Sequence, residues 1–342
     1  EPSVNIEVRR KAAFEAGGIF NQLRSANAVA PGALPDVTLL QHDDLLLAMQ
    51  ADLIQPFEGV VASAVIEGLE DITLELGRID ETVYGVAYLL DIWVLAATGT
   101  AQTQTAWTFD AFLGERLSLG LTVGRGSNPV PAFWVQYLDA GGTPLTGDDL
   151  TLNADALLNV LTFYEQLRLE GLINSQVLEY AIAADYETRL VSGELDAGVL
   201  PLSRVQALRS DQYQPQLSAL PTLSGAPVAP LEGWLWVMVT TDPRQQRLVG
   251  QFVNWMMEPN RQGQYAQQLD LLPSQPTALD SYPFDGVDTG WLNTVLANAV
   301  IPLAPTADNA VLRALQAALV SVLSGESTAE AATRNAVEQL SG

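Results

Sequence analysis

The stretch GWLWVMVTTDPRQQRLVGQFVNWMMEPNRQGQYAQQLDLLPSQP, residues 233–276, contains the clearest secondary-structure signals of this chain. Its apolar run at residues 234–239 predicts a β-strand. Asp242 before Pro243 predicts the capped start of a helix, because proline is tolerated at the first helical position. Glu258 and Pro259 end that helix and begin another. Three apolar residues recur at helical spacing on one face of the first helix: Leu248, Phe252 and Trp255. The stretch therefore predicts a strand followed by two helices.

Upstream of this stretch, strand and helix candidates alternate. Residues 4–8 are a strand candidate, and residues 12–27 have helical spacing. Residues 35–40 predict a second strand, followed by a helix from about Asp43 to Ala51. Such a rhythm is typical of an α/β protein, so we expect mainly parallel sheets flanked by helices.

Composition and charge narrow the class of protein. With 342 residues, 48% of them hydrophobic and 16% charged, the chain is long enough for two globular domains. The 40 acidic residues against 16 basic ones give a net charge of −24. Such a surface repels phosphate backbones and anionic lipid headgroups, so we expect no nucleic-acid partner and no broad contact with a membrane.

The chain has no cysteine, so neither a disulfide framework nor thiol chemistry is available. No run of 18 apolar residues predicts a membrane span. The sequence begins at Glu1 without a signal peptide, and we expect a mature or trimmed exported product. Anchoring through a lipid on a removed N-terminal segment stays open.

Catalytic chemistry is hard to build from these residues. His42 is the single histidine, so a Ser-His-Asp triad or a multi-histidine metal site would have to centre on it. His42 with Asp43 and Asp44 could form a ligand cluster, but a helix start capped by Asp43 explains the same residues. The glycines at 124 and 126 lack the Lys-Ser/Thr of a phosphate loop. We expect no metal, no cofactor and no enzymatic activity.

The order of motifs resembles the extracellular solute-binding proteins of bacterial ABC importers, of the family 1, maltose-binding-protein-like type. The 233–276 stretch resembles the C-terminal half of that family. YGVAYLLD at residues 84–91 resembles the strand that crosses between the lobes, and WTFD at residues 107–110 resembles a helix start. Residues 312–325 and 327–340 resemble the closing helix pair, with Gly325 as a C-cap and Ser327 with Glu330 as a capping box.

This resemblance implies a two-lobed periplasmic-binding-protein-like fold of type II, with hinge strands between the lobes. Lobe 1 would comprise residues 1–90 and 232–276, and lobe 2 residues 91–231 and 277–342. The family opens with a strand and a helix before the segment that residues 4–8 match. We therefore expect the first lobe of this chain to lack one strand and one helix.

The implied function is the capture of a small solute, a sugar or oligosaccharide, in the cleft between the lobes for delivery to an ABC permease. The protein would act outside the cytoplasm, extracellular or periplasmic, as a monomer. Sugars are bound by flat aromatic faces together with carboxylates or amides. The aromatic candidates are Tyr88, Phe133, Trp134 and Trp234, and the polar ones are Asp43, Asp91, Asn128 and Glu232.

Several alternatives stay open at the level of sequence. Each aromatic candidate could instead belong to the core, and Asp91 could be a salt-bridged hinge residue. Glu232 and Asp91 could also form the carboxylate pair of a secreted carbohydrate-active hydrolase, because such enzymes need two carboxylates at a set separation. A third hypothesis is a binding scaffold that has lost its role in transport.

Overall fold

A computed structural model describes residues 6–11, 18–98, 105–124, 130–143, 151–282, 284, 286–302 and 310–341. It divides the chain into two compact units, each built from two segments. Unit 1 consists of Glu1–Asp91 and Glu232–Asp285, and unit 2 of Ile92–Leu231 and Gly286–Gly342. The chain therefore leaves unit 1 after Asp91 and re-enters it at Glu232.

The strands of the described residues are numbered along the chain. They are β1 (Val37–Gln41), β2 (Arg78–Ile79), β3 (Thr82–Val83), β4 (Gly85–Ala97), β5 (Trp107–Thr108), β6 (Leu119–Gly120), β7 (Ala197–Pro201), β8 (Gln216–Ser218), β9 (Pro221–Thr222), β10 (Leu231–Met238) and β11 (Leu272–Pro273).

The α-helices alternate with these strands, and short 3₁₀ turns occur at Pro31–Ala33 and Ser175–Glu179. The helices are α1 (Ile19–Val29), α2 (His42–Gln50), α3 (Ser63–Glu67), α4 (Asp71–Glu75), α5 (Phe109–Glu115), α6 (Pro131–Asp139), α7 (Ala154–Leu169), α8 (Ala184–Val191), α9 (Leu202–Leu208), α10 (Pro243–Met256), α11 (Pro259–Gln268), α12 (Pro276–Ser281), α13 (Thr289–Ala297), α14 (Ala310–Ser324) and α15 (Ala329–Ser341).

The sheet of unit 1 is centred on β10, which lies between β1 and the first half of β4. β1 and β10 are antiparallel, with Val37 opposite Met238 and Gln41 opposite Trp234. β11 pairs antiparallel with β4, placing Leu272 opposite Leu90. One face of this sheet is covered by α10 and α11, because Val249, Val253 and Ala266 pack with the strand residues in one buried cluster.

A buried hydrogen-bond network connects β4 to the last part of the 233–276 stretch. Gln262 on α11 is fully buried, and its side-chain amide donates to the carbonyl of Tyr88 (2.8 Å) and to Ser274 Oγ (2.9 Å). Ser274 Oγ in turn donates to the carbonyl of Ala87 at 2.6 Å. The buried side chains of Gln262 and Ser274 therefore hold β4 in place.

Unit 2 is built around the second half of β4 and a helical layer. β7 pairs antiparallel with β4, and β6 pairs parallel with β7. α7 packs against α6, α14 and α15, and its apolar side is buried. Two hydrogen bonds support this layer: Gln316 Nε2 donates to the carbonyl of Val123, and the Ala329 N–H donates to Glu165 Oε2.

The mixed α/β class of the two-lobed fold is confirmed, but the expectation of mainly parallel strands is not met in the described ladders. The parallel pairs are β5 with β9 and β6 with β7. The antiparallel pairs are β1 with β10, β2 with β3, and β4 with each of β7, β8 and β11. The parallel rule holds for strands joined by a helical crossover, as β6 and β7 are. The partner of β1 is instead β10, which re-enters unit 1 after a long excursion through unit 2.

Helix starts that depend on local sequence agree with prediction. Asp242 caps α10, accepting a hydrogen bond from the Arg244 N–H at 2.8 Å, and Pro243 is the first helical residue. Thr108 caps α5, and Gly325 after α14 has a positive φ of 80°. These features need the chemistry of one or two residues only, which is why sequence predicts them.

Three local predictions are wrong. Residues 6–8 are not a strand: Ile6 and Val8 are exposed and pair with none of the described strands, while residues 4 and 5 lie outside the described part of the chain. The cap of α15 is Thr328, which accepts from the Ala331 N–H, and not Ser327, because the helix begins two residues after that serine. Trp255 is 48% exposed, because the buried face of α10 runs through Val249 and Val253.

Candidate functional site

In unit 1, the candidate site is formed where the end of β1 meets β10. Trp234 is directly opposite Gln41, and residues opposite each other in an antiparallel pair project from the same face of a sheet. Gln41 is also the residue before α2, so the indole of Trp234 projects beside the start of that helix. Trp234 is half-buried and packs against the core cluster of unit 1 with part of its surface. Part of an aromatic ring therefore stays accessible next to a helix N-terminus.

The first turn of α2 brings an unusual carboxylate to this place. Burial, reinforced by the neighbouring charge of Asp44, raises the pKa of Asp43 to about 6, and burial also raises the pKa of Asp44. The side chain of Asp43 does not cap α2, which is a correction to prediction: the N-cap is Gln41, and no side-chain cap hydrogen bond forms there. The structure thus offers a half-buried acid whose carboxyl is not used by its own helix.

His42 fixes the orientation of that turn. Its Nδ1 lies 2.8 Å from the carbonyl oxygen of Leu76, and because a carbonyl only accepts, Nδ1 carries the hydrogen. Burial lowers the pKa of His42, and the hydrogen bond to Leu76 opposes this only in part. The ring is therefore neutral near pH 7, with Nε2 as an acceptor. His42 positions the helix start and adds no positive charge to it.

Two further predicted carboxylates are at the points where the chain leaves and re-enters unit 1. Asp91 lies on β4 and Glu232 on β10, and both are half-buried. Glu232 is two residues from Trp234, so the two side chains project from the same face of β10. β4 and β10 are neighbours in the sheet. Unit 1 therefore contains five of the eight predicted ligand residues, and four of them are half-buried: Asp43, Asp91, Glu232 and Trp234.

Tyr88 does not belong to this group. Its ring is fully buried in the core of unit 1, with its centroid 5.1 Å from that of Trp236 and 5.8 Å from that of Tyr265. Burial raises its pKa further, so the phenol stays neutral. Its place on an apolar strand looks the same in sequence whether the ring faces the core or solvent. In this fold the ring lies in the core, so no face of Tyr88 is accessible to a ligand.

The unit 2 candidates also change. Phe133 and Trp134 on α6 are buried, with 0% and 3% of their surface exposed. Phe133 packs near Tyr164 and Trp134 near Tyr137. Both are core residues because α6 is covered on several sides, with six consecutive residues buried. Asn128 lies outside the described residues.

Gln41 is a candidate site residue that sequence analysis missed. Its amide lies at the end of a strand and before a helix, a position that can bind hydroxyls. The signal that could have found it is the register of β1 against β10, which a single sequence does not contain. In the described part of the chain, no group of three or more acidic or histidine side chains is arranged to hold a metal ion. None of the described helices is long and apolar enough to cross a membrane.

Several solved structures of similar fold are named as sugar-binding proteins. The cyclic alpha-maltosyl-1,6-maltose binding protein of Arthrobacter globiformis matches with a TM-score of 0.72 and 16% identity, covering 93% of this chain and 86% of its own. Maltose-bound MalE3 of T. maritima has a TM-score of 0.69 and 16% identity, covering 94% and 87%. MalE of Listeria monocytogenes in complex with maltose has a TM-score of 0.70 and 14% identity, covering 93% and 87%. At these identities the likeness shows the fold.

A comparison of the sequence with curated proteins finds no match. The family comparison is decisive: residues 1–286, well over half of the chain, match the family described as bacterial extracellular solute-binding protein. The motif order in residues 233–276 and the two-unit α/β fold point to the same family. This chain belongs to the bacterial extracellular solute-binding proteins.

Proposed function

We propose that this protein captures a sugar or oligosaccharide without chemical change and delivers it to the permease of an ABC importer. The observation that carries this proposal is the pairing of Trp234 with the start of α2. The half-buried Trp234 lies opposite Gln41 across the β1–β10 ladder, and Asp43 follows Gln41 by two residues in the first turn of α2. A sugar ring presents C–H groups to an aromatic face and hydroxyls to amides and carboxyls.

Electrostatics favour a neutral polyol over an anion at this site. Asp43, Asp44 and Glu232 are acidic, and His42 is neutral near pH 7 because burial lowers its pKa. A carboxylate ligand would meet like charges, which would cost affinity. The names of structurally similar proteins, several of which bind maltose or maltodextrins, support the same ligand class. We assign lobe 1 to unit 1 and lobe 2 to unit 2.

The proposal is tested by a thermal-shift panel of mono- and oligosaccharides, amino acids and polyamines, followed by calorimetry on each hit. A ligand that binds the folded state alone raises the melting temperature, by an amount that grows with its concentration over its Kd. We expect a rise with one or more sugars and none with amino acids. A rise with polyamines alone would overturn the sugar assignment.

The same panel separates binding from hydrolysis. After prolonged incubation with each hit, chromatography should recover the sugar unchanged, because no bond is broken by a binding protein. Shorter products that disappear in Glu232→Gln would instead favour the carbohydrate-active hydrolase.

A further inference from the structure

The exposed side of α10 carries two arginines, whereas no other described helix contains more than one. Four residues at helical spacing, Arg244, Arg247, Gln251 and Trp255, are exposed and form one line along the helix; we call them the α10 stripe. α10 contains no acidic residue. From 243 to 268, α10 and α11 together hold three arginines and one glutamate, a net charge of +2 in a chain of −24.

The charges of the α10 stripe are not used within the described part of the chain. Neither Arg244 nor Arg247 forms an ion pair with another described residue, in contrast to Arg78, Arg116, Arg204 and Arg261. Asp242 lies close in sequence, but its carboxylate accepts from the Arg244 backbone N–H as the helix cap. Two guanidinium groups therefore face solvent without a carboxylate partner among the described residues, although the full sequence has 40 acidic residues.

Trp255, at the end of the α10 stripe, is held in place although it is exposed. The Arg261 guanidinium lies 3.7 Å from the centre of the indole ring, and Glu258 fixes that guanidinium at 2.7 Å. Arg261 also donates to the backbone carbonyl of Trp255. On its other side, Phe252 packs against Trp255 and in turn against the buried Trp236. An exposed tryptophan that is already ordered loses little entropy on binding, which is the property of an interface hot spot.

We propose that the α10 stripe is a docking surface for a protein partner that presents carboxylates, and that this partner is the solute-accepting face of the membrane permease. The choice of the permease rests on the proposed function. Most of the strongly acidic surface would repel such a partner, so docking through α10, which holds more arginines than any other described helix, favours one orientation. A lipid surface is less suited, because Trp255 is clamped by Arg261 and Glu258 and is not free to insert.

The test uses the permease–ATPase complex encoded with this protein, reconstituted in nanodiscs, with solute-loaded protein titrated against its ATPase activity. Arg244→Glu/Arg247→Glu should raise the concentration of solute-loaded protein needed for half-maximal ATPase activity about tenfold or more, and Trp255→Ala should do the same. The matched control is Arg10→Glu/Arg334→Glu, which makes the same charge change at exposed arginines elsewhere and should stay within about twofold of the parent. The response of the parent protein should weaken as salt is raised from about 50 to about 300 mM.

Solute binding is measured on each variant by thermal shift with the best sugar of the panel. If every variant binds the sugar and Arg244→Glu/Arg247→Glu activates the transporter like the parent, the docking proposal is overturned and solute capture stands. A parent protein that binds no panel solute would instead overturn solute capture, and docking with it. Binding to phosphatidylglycerol vesicles without transporter, lost in Arg244→Glu/Arg247→Glu, would assign the stripe to lipid and overturn the protein partner.

Discussion

At the scale of single residues, Trp234 and Trp236 differ in environment although they are two residues apart on one strand face. Trp236 is buried against Tyr88 and Phe252, whereas Trp234 is half-buried beside Gln41. Alternation along β10 places both indoles on the same side of the sheet, so the difference comes from what covers that side. A single strand therefore carries both a core tryptophan and a candidate ligand tryptophan.

Trp234→Ala should weaken sugar binding by about 1–3 kcal/mol, because it removes a stacking face, and should lower stability less than Trp236→Ala. Truncation of the buried Trp236 leaves a cavity, and we expect a cost of about 3–5 kcal/mol in unfolding free energy. Calorimetric titration and urea unfolding of both variants measure the two effects. Normal sugar affinity combined with a large loss of stability in Trp234→Ala would make Trp234 a core residue.

Asp43→Asn should stabilise the protein at neutral and alkaline pH. In the folded protein the pKa of Asp43 is raised to about 6, against an ordinary value of 3.8, by burial and by Asp44. An acid with a raised folded-state pKa lowers stability as the pH rises from about 4 to about 6, because the unfolded state ionises first. Asparagine removes that cost, so the melting temperature of the variant should exceed that of the parent at about pH 8 and match it near pH 4.

The control for Asp43 is the exposed Glu338→Gln, which removes one negative charge far along the chain. Its melting temperature should follow that of the parent at both pH values, because the side chain of Glu338 is exposed and stays in contact with water in the folded protein. If Asp43→Asn differs from the parent in melting temperature by the same amount at both pH values, the effect is not due to ionisation of Asp43.

Sequence analysis named four of the five side chains of the candidate site in unit 1, but it could not separate core aromatic residues from accessible ones. Trp234 and Tyr88 both belong to apolar strands flanked by glycine, and Phe133 and Trp134 are equally aromatic. Whether a ring faces the core depends on which helix packs on it, and that contact joins residues far apart in the chain. Gln41 was missed for the same reason, since its role comes from its register with Trp234.

At the scale of secondary-structure elements, a buried amide joins α11 to β4. Gln262 donates to the Tyr88 carbonyl and to Ser274, and it has no exposed surface. These bonds hold β4 close to the point where it leaves unit 1. The sequence of α11 is rich in glutamine and suggests a solvent-exposed helix, but Gln262 is a buried structural residue.

Gln262→Met should lower the unfolding free energy by about 1–3 kcal/mol, because methionine fills a similar volume but leaves a buried carbonyl without its donor. Gln264→Met, on the exposed side of the same helix, should change it by less than about 0.5 kcal/mol. Urea unfolding of the pair measures the difference. Equal stability of the two variants would mean that the Gln262 network contributes nothing net.

Elements with local signals were predictable, and those with distant partners were not. The start of α10 at Asp242-Pro243 and the turn at Gly325 depend on adjacent residues, so sequence predicts them. The direction of β1 relative to β10 depends on how the chain returns from unit 2. A βα rhythm favours parallel pairing only for strands joined directly by a crossover, and here it predicted the wrong direction.

At the scale of the whole molecule, the family match ends at residue 286, whereas the fold continues to the closing helices. α14 and α15 both pack on α7, and their apolar faces are part of the core of unit 2. The structural neighbours match 93–94% of the chain, a larger share than the family model does. The core of unit 2 therefore includes α14 and α15, which lie beyond the family match.

Removal of residues 310–342 should unfold unit 2 and leave unit 1 folded. α7 would lose the two helices that cover its apolar side, whereas the sheet and helices of unit 1 lose no packing partner from their own core. Hydrogen exchange by mass spectrometry should show lost protection in α7 and β7, with β1 and α10 still protected. The point variant Leu319→Ala, at a fully buried position of α14, should give the same local pattern at a cost of about 2–5 kcal/mol. Loss of protection in β1 and α10 to the same extent would mean that the two units unfold as one cooperative body, and the division into separately stable cores would be wrong.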